Sequence, residues 1–250
     1  INSAKDDAAG LQIASRLNAQ VRGQEAALYN SNNAMSMMQT AEGAFDEMTN
    51  IAYRMKELAT QAANGTNGAD EGIALGSEYL ALGDELASIM QNTSFGGTLL
   101  LADTTTTTVT AATGANGVPG VRVNTAIAAD GKFADAAGVT FQVGSSTAET
   151  LGVNVSAALN TLHGLIGTAD GSQAGLGDIS TQAKATAAAT SGMVKTDELI
   201  EAIGTARSAL GASMNRLDHT MNNVTNMKEN TQAAASTLMD ADFAAETSNM

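Results

Sequence analysis

Cysteine and tryptophan are absent from this 250-residue chain, and proline occurs once, at Pro119. Without cysteine there is no disulfide framework and no thiolate site. Zero cysteine fits a protein that works outside the cell without disulfides, although many cytosolic proteins also lack it. Aromatic residues make up only 3% of the chain, too few for a compact globule with a large ring-filled heart. Positive charge is scarce: 12 Lys and Arg stand against 26 Asp and Glu, a net charge of −14, and none lies between Lys56 and Arg122. That balance argues against a counterion-releasing grip on nucleic acid and against docking on an anionic membrane. No apolar run approaches the ~18 residues of a membrane span, and no basic, apolar leader opens the chain. The sequence starts at Ile1 and stops at Met250 within helix-compatible polar sequence. The expectation is an excised middle with both natural ends missing.

What is abundant is small: alanine, glycine, serine, threonine and asparagine. The strongest pattern runs from Asp197 to Met239, where Leu199, Ile203, Ala206, Leu210, Leu217, Met221 and Val224 recur at steps of four and three. Ile203, Leu210, Leu217 and Val224 fall at strict sevens, and Leu238 rejoins that column after a miss at Thr231. A seven-residue apolar repeat holds one seam against partner helices along a rod. Such a stripe is not buried alone, so the remaining chain must supply helices of matching length.

Two further helices are predicted. One runs from Asp7 to about Ala63, with Leu11, Ala14, Leu17, Val21 and Leu28 and then Met38, Phe45, Met48, Ile51, Met55, Leu58 and Ala62 as its seam. Gly23 and Gly43 inside it mark a bend or the close approach of a neighbour. The turn formers Asn64-Gly65-Thr66-Asn67-Gly68 end it. A shorter helix, Asp70 to Asn92, carries Leu75, Tyr79, Leu82, Leu86 and Ile89 and should run antiparallel to the first. Between Phe95 and Thr196 the character changes to threonine, glycine and alanine. Val139–Val143 and Leu151–Val155 read as a β-hairpin, Leu159–Ile166 as a short helix, and 171–192 carries no pattern. The fold class is therefore mainly α: an elongated antiparallel, coiled-coil-like bundle of long helices. β-Hairpins and a small β or irregular outer insert make it α+β.

No chemistry-bearing cluster emerges. His163 and His219 are 56 positions apart with no HExxH spacing. The acidic residues Asp70, Glu71, Glu78, Asp84 and Glu85 lack the dense alternation of a calcium loop and read as a solvated helix face. Gly65, Gly68 and Gly72 follow no strand and have no accompanying lysine, which argues against a phosphate cradle. Methionines 35–38 and 48–55 read as packing. The chain is read as no enzyme, with no cofactor and no metal.

Several motifs nevertheless agree in order with one family. INSAKDDAAGLQIASRL (Ile1 to Leu17), SMMQTAEGAFDEMTNIAYRMKELATQAANGTN (Ser36 to Asn67), NTSFGG (Asn92 to Gly97), FQVGSSTAET (Phe141 to Thr150), LGASMNRLDHTMNNVTNM and the closing MDADFAAETSNM resemble bacterial flagellin. The likeness covers 1–103 and 137–250, read as two halves of one core domain, with 104–136 as a small variable surface insert. Its methionine-rich wording is nearest to the lateral, swarming type. The resemblance implies an extracellular, self-assembling subunit of the flagellar filament, handled by flagellar export and cap proteins. With the filament-forming terminal helices missing, this piece is expected to be a monomer. It also implies recognition by a Toll-like innate receptor through Arg54, Glu57, Leu58, Gln61 and Glu85, with Tyr53 and Lys56 departing from the family pattern. Arg54, Glu57, Leu58 and Gln61 share one helix face by their spacing; Leu58 reads equally well as core. Two alternatives are a hook–filament junction protein and a homologue with a ligand site in 104–136. The NTSFGG and FQVG motifs favour flagellin over the first. The short, aromatic-poor insert counts against the second.

Overall fold

The computed structural model describes residues 8–101, 110–111, 122–123, 131–166, 179 and 182–239. In chain order these form α1 (Ala8–Ala62), α2 (Ala69–Asn92), β1 (Ser94–Phe95), β2 (Thr98–Leu99), β3 (Thr110–Ala111), β4 (Arg122–Val123), β5 (Val139–Gln142), β6 (Thr150–Val153), α3 (Ser156–Ile166) and α4 (Gln182–Met239). The predicted helix start at Asp7, the threonines 104–108, the patternless 171–178 and the closing motif from residue 240 on lie outside the described residues. The helix expected from Asp197 begins at Gln182. Its added turns are alanine- and threonine-rich and carry no large apolar stripe from which a period could be read.

The chain divides into two compact units. The first comprises Ile1–Ser36, Thr140–Gly152 and Ser213–Met250; the second comprises Met37–Val139 and Val153–Ala212. Each takes a segment of α1 and a segment of α4.

In the second unit the α1 seam follows strict sevens in two columns. Met38, Phe45, Ala52 and Ala59 form one, and Ala41, Met48, Met55 and Ala62 the other, and every one of them is buried. α4 supplies Leu199, Ile203, Ala206 and Leu210, and α2 supplies Tyr79, Leu86 and Met90, all buried. α3 packs against α2. It buries Leu159, Leu162, His163, Leu165 and Ile166. Residues Phe133 and Ala134, within the 104–136 stretch, are buried too. The backbone amides of Lys132 and Phe133 donate to the carbonyls of Leu99 and Leu100.

In the first unit the Met38 column of α1 continues backwards as Ser31 and Gln24, and the Ala41 column as Ala34 and Ala27, again all buried. The larger Leu17, Val21 and Leu28 lie half-buried beside that line. Apart from Gln24, this seam is made of small residues that let neighbours approach closely. Leu217 and Val224 of α4 are buried in this unit.

The two glycines of α1 differ. A Cβ on Gly23 would stand 2.8 Å from the Cβ of Ser145, so the loop between β5 and β6 lies directly on the helix there. Asn30 adds a hydrogen bond from Nδ2 to the Gln142 carbonyl at 3.4 Å. Gly43 faces open space. β1 and β2 pair antiparallel, Ser94 with Leu99 and Phe95 with Thr98. The two linking residues, Gly96 and Gly97, have φ of 58° and 81°. A two-residue hairpin turn with both central φ values positive favours such a glycine pair. β3 and β4 also pair antiparallel, Thr110 with Val123 and Ala111 with Arg122. β5 and β6 form the third two-stranded sheet.

Candidate functional site

The candidate surface lies within the second unit, on the last turns of α1 and the facing side of α2. Heptad geometry decides what each α1 residue can do there. Met55 and Leu58 point into the core and are fully buried, leaving Tyr53, Arg54, Glu57 and Gln61 exposed on the face away from the seam columns. Of the candidates on this helix, Leu58 is thus a core residue.

Arg54 organises the exposed part. Its Nη1 lies 2.6 Å from Oε2 of Glu57, one turn along α1. Its Nε donates to Oε1 of Glu78 on α2 at 2.9 Å, and Nη2 lies 2.8 Å from the same oxygen. The two carboxylates, first through the Glu57 hydrogen bond and then through Glu78, raise the guanidinium pKa above its ordinary value. The α2 glutamate that meets Arg54 is Glu78. Glu85 lies seven residues, two turns, further along and is exposed. Spacing along the sequence does not reveal which glutamate of an acidic helix faces a given arginine; the ion pair does. Lys56, beside this group, is tied to Asp197 of α4.

Gln61 closes the surface near the end of α1. Its carbonyl accepts from the Asn64 amide at 3.1 Å and from Nδ2 of Asn67 at 2.7 Å. The surface is acidic and charge-paired.

Among the described residues no group of three or more His, Asp or Glu is placed to hold a metal ion. His163 is buried in α3 of the second unit, and His219 is exposed on α4 in the first. No helix among the described residues is long and apolar enough to cross a membrane.

Residues 1–106 match the family described as the bacterial flagellin N-terminal helical region, and residues 193–250 match the bacterial flagellin C-terminal helical region. Flagellin D of Vibrio anguillarum is 34% identical, over 99% of this chain and 82% of that protein. The chain belongs to the bacterial flagellin family. A flagellin of Halalkalibacterium halodurans is likewise 34% identical, over 98% of this chain and 75% of its own length. Among solved structures, Bacillus cereus flagellin superposes with a TM-score of 0.53 at 28% identity, covering 83% of this chain and 94% of that one. A putative flagellar hook-associated protein from Vibrio parahaemolyticus superposes with a TM-score of 0.63, covering 94% of this chain and 99% of its own. At 15% identity that likeness speaks for the fold alone. The two flagellin helical regions correspond to α1 with α2 and to most of α4, the elements whose heptad columns carry the core.

Proposed function

We propose that this chain is a structural subunit of the bacterial flagellar filament, working outside the cell and associating with copies of itself, and that it is not an enzyme. The observation that carries this reading is the match to flagellin helical regions at both ends of the chain, joined to relatives aligned over nearly its whole length. The physical logic agrees. Rods built on small side chains leave long exposed flanks for repeated contacts between like subunits, and such head-to-tail contacts generate open helical assemblies. Peptide mapping of filaments sheared from motile cells is the test. Peptides of this sequence in the filament fraction support the role. Their confinement to the cell body while filaments remain intact would overturn it.

Export through the flagellar apparatus and handling by cap proteins belong to the same reading. So does the division into a core, 1–103 and 137–250, and an insert, 104–136. The sequence resemblance also supports a face recognised by a Toll-like innate receptor. On this chain that face comprises Arg54, Glu57 and Gln61 of α1 with Glu78, and Glu85 at its far edge. Leu58 would act from beneath by fixing the helix. A receptor that engages Arg54 has to compete with Glu57 and Glu78 for the guanidinium. Arg54→Ala is expected to lower receptor signalling while melting stays unchanged. Unaltered signalling would remove the face from the proposal.

A further inference from the structure

The connection from α1 to α2 contains two Asn-Gly pairs three residues apart, Asn64-Gly65 and Asn67-Gly68. An Asn followed by glycine is prone to intramolecular attack, because no side chain on the second residue hinders its backbone nitrogen. Geometry makes the two pairs unequal.

Asn64, Gly65 and Thr66 are all exposed. The Asn64 Oδ1 accepts from the Thr66 backbone amide at 3.2 Å. This Asx-type ring keeps the Asn64 Cγ on the side of the intervening Gly65 nitrogen, and the hydrogen bond draws electrons from the carbonyl that is to be attacked. Where a Cβ on Gly65 would stand, no atom lies within 4 Å, and Gly65 is not among the glycines of positive φ. Nothing in the fold requires glycine at this position.

Asn67 is held differently. Its Nδ2, the group that would have to leave, donates to the Gln61 carbonyl at 2.7 Å. A Cβ on Gly68 would stand 2.6 Å from Oε2 of Glu71, so a carboxylate crowds the second pair. Negative charge crowded against Gly68 opposes loss of a proton from its nitrogen, which attack requires.

We infer that Asn64 is a site of spontaneous deamidation, selected over Asn67 by the turn that joins α1 to α2. The Gly65 nitrogen bonds to the Asn64 Cγ, the Cγ–Nδ2 bond breaks, and ammonia departs with the proton from Gly65. Water then opens the cyclic imide at either carbonyl, giving aspartate or isoaspartate. Either product places a carboxylate two residues beyond Ala62, the last residue of α1. The helix dipole disfavours negative charge there. Isoaspartate also lengthens the main chain by one atom beside Gln61. The expected consequence is fraying of the final turn of α1, accumulating with the age of the molecule.

The test holds the folded chain in mildly alkaline buffer at body temperature and maps its peptides over days. Fragmentation that separates isoaspartate from aspartate reads the product. Asn64 should convert on the order of tenfold faster than Asn67. Gly65→Ala should suppress conversion at Asn64 and leave the melting curve unchanged. Conversion of Asn67 at the rate of Asn64 or faster overturns the inference. So does an Asn64 that stays intact while an Asn-Gly peptide in the same buffer is consumed, or a rate unaffected by Gly65→Ala.

Discussion

Arg207 of α4 donates from Nε to Oε1 of Glu42 on α1 at 2.8 Å, and its Nη2 lies 3.1 Å from Oδ1 of Asp46 one turn further along. One guanidinium thereby clamps two carboxylates of the neighbouring helix inside the second unit. The pair with Glu42 is half-buried, and the other Glu42 oxygen is buried without a partner among the described residues. Removing the cation leaves that carboxylate partly desolvated and unpaired. Arg207→Ala is expected to cost about 1–2 kcal/mol, between the values for exposed and buried pairs. Arg207→Lys should recover only part of this, because a single ammonium does not span both acids as a planar fork does. Urea unfolding of the three proteins checks the order.

Gly138 and Gly43 make opposite predictions from the same substitution. Gly138 has φ 70°, and a Cβ there would stand 2.6 Å from the Val153 carbonyl oxygen and 3.0 Å from the Asn154 Cβ. Gly138→Ala therefore combines a left-handed backbone penalty with a clash against main chain, and should lower stability by about 2–3 kcal/mol. Gly43 lies within α1 with nothing near its missing Cβ. Gly43→Ala should raise stability by up to about 1 kcal/mol through helix propensity. Thermal melting of the two variants separates them by sign.

Much of this architecture was legible because its elements rest on periodicity and on turn chemistry. The sevens of Ile203, Leu210, Leu217 and Val224 mark four buried positions of α4. Asn64 to Gly68 announces a connection that only turn-forming residues make easily. What stayed hidden depended on partners distant in sequence. Gln24 and Ser31 are polar, yet they fill seam positions because the heptad carries them inward. Glu78 rather than Glu85 faces Arg54 because of how α2 presents its sides to α1, which the composition of an acidic helix does not encode. The early turns of α4 were obscured for another reason: alanine and threonine leave no contrast between one face and the other.

Burial of His163 makes the stability of the chain depend on pH. Burial in α3 lowers its pKa below the ordinary value, opposed by the backbone carbonyl of Leu101. Neither ring nitrogen has a hydrogen-bond partner of good geometry among the described residues. As pH falls through the unfolded-state value of about 6.5, the unfolded chain takes up a proton that the folded chain resists. This contribution to stability is complete above that pH and is lost progressively below it, down to the depressed folded value. His163→Leu should flatten this stretch of the stability curve. Chemical denaturation at a series of mildly acidic pH values reads the difference.

Gln24 tests whether the buried columns of α1 act as a hydrophobic seam throughout. It is 1% exposed, and both amide atoms lack a hydrogen-bond partner among the described residues. Fourteen residues further along the same column stands Met38, fully buried. An unpaired buried amide costs about 1–3 kcal/mol in protein measurements, whereas an apolar chain of similar length gains by burial. Gln24→Met is therefore expected to stabilise the first unit by about 1 kcal/mol or more, with the two side chains close enough in volume to avoid strain. Leu210→Ala, at a seam position of α4 in the second unit, should by contrast cost about 2–5 kcal/mol. If Gln24→Met destabilises instead, the amide has a satisfied role, such as a bridging water, and polar specification of helix register would explain its place in the column. Denaturant midpoints for the wild type and both variants decide between these readings.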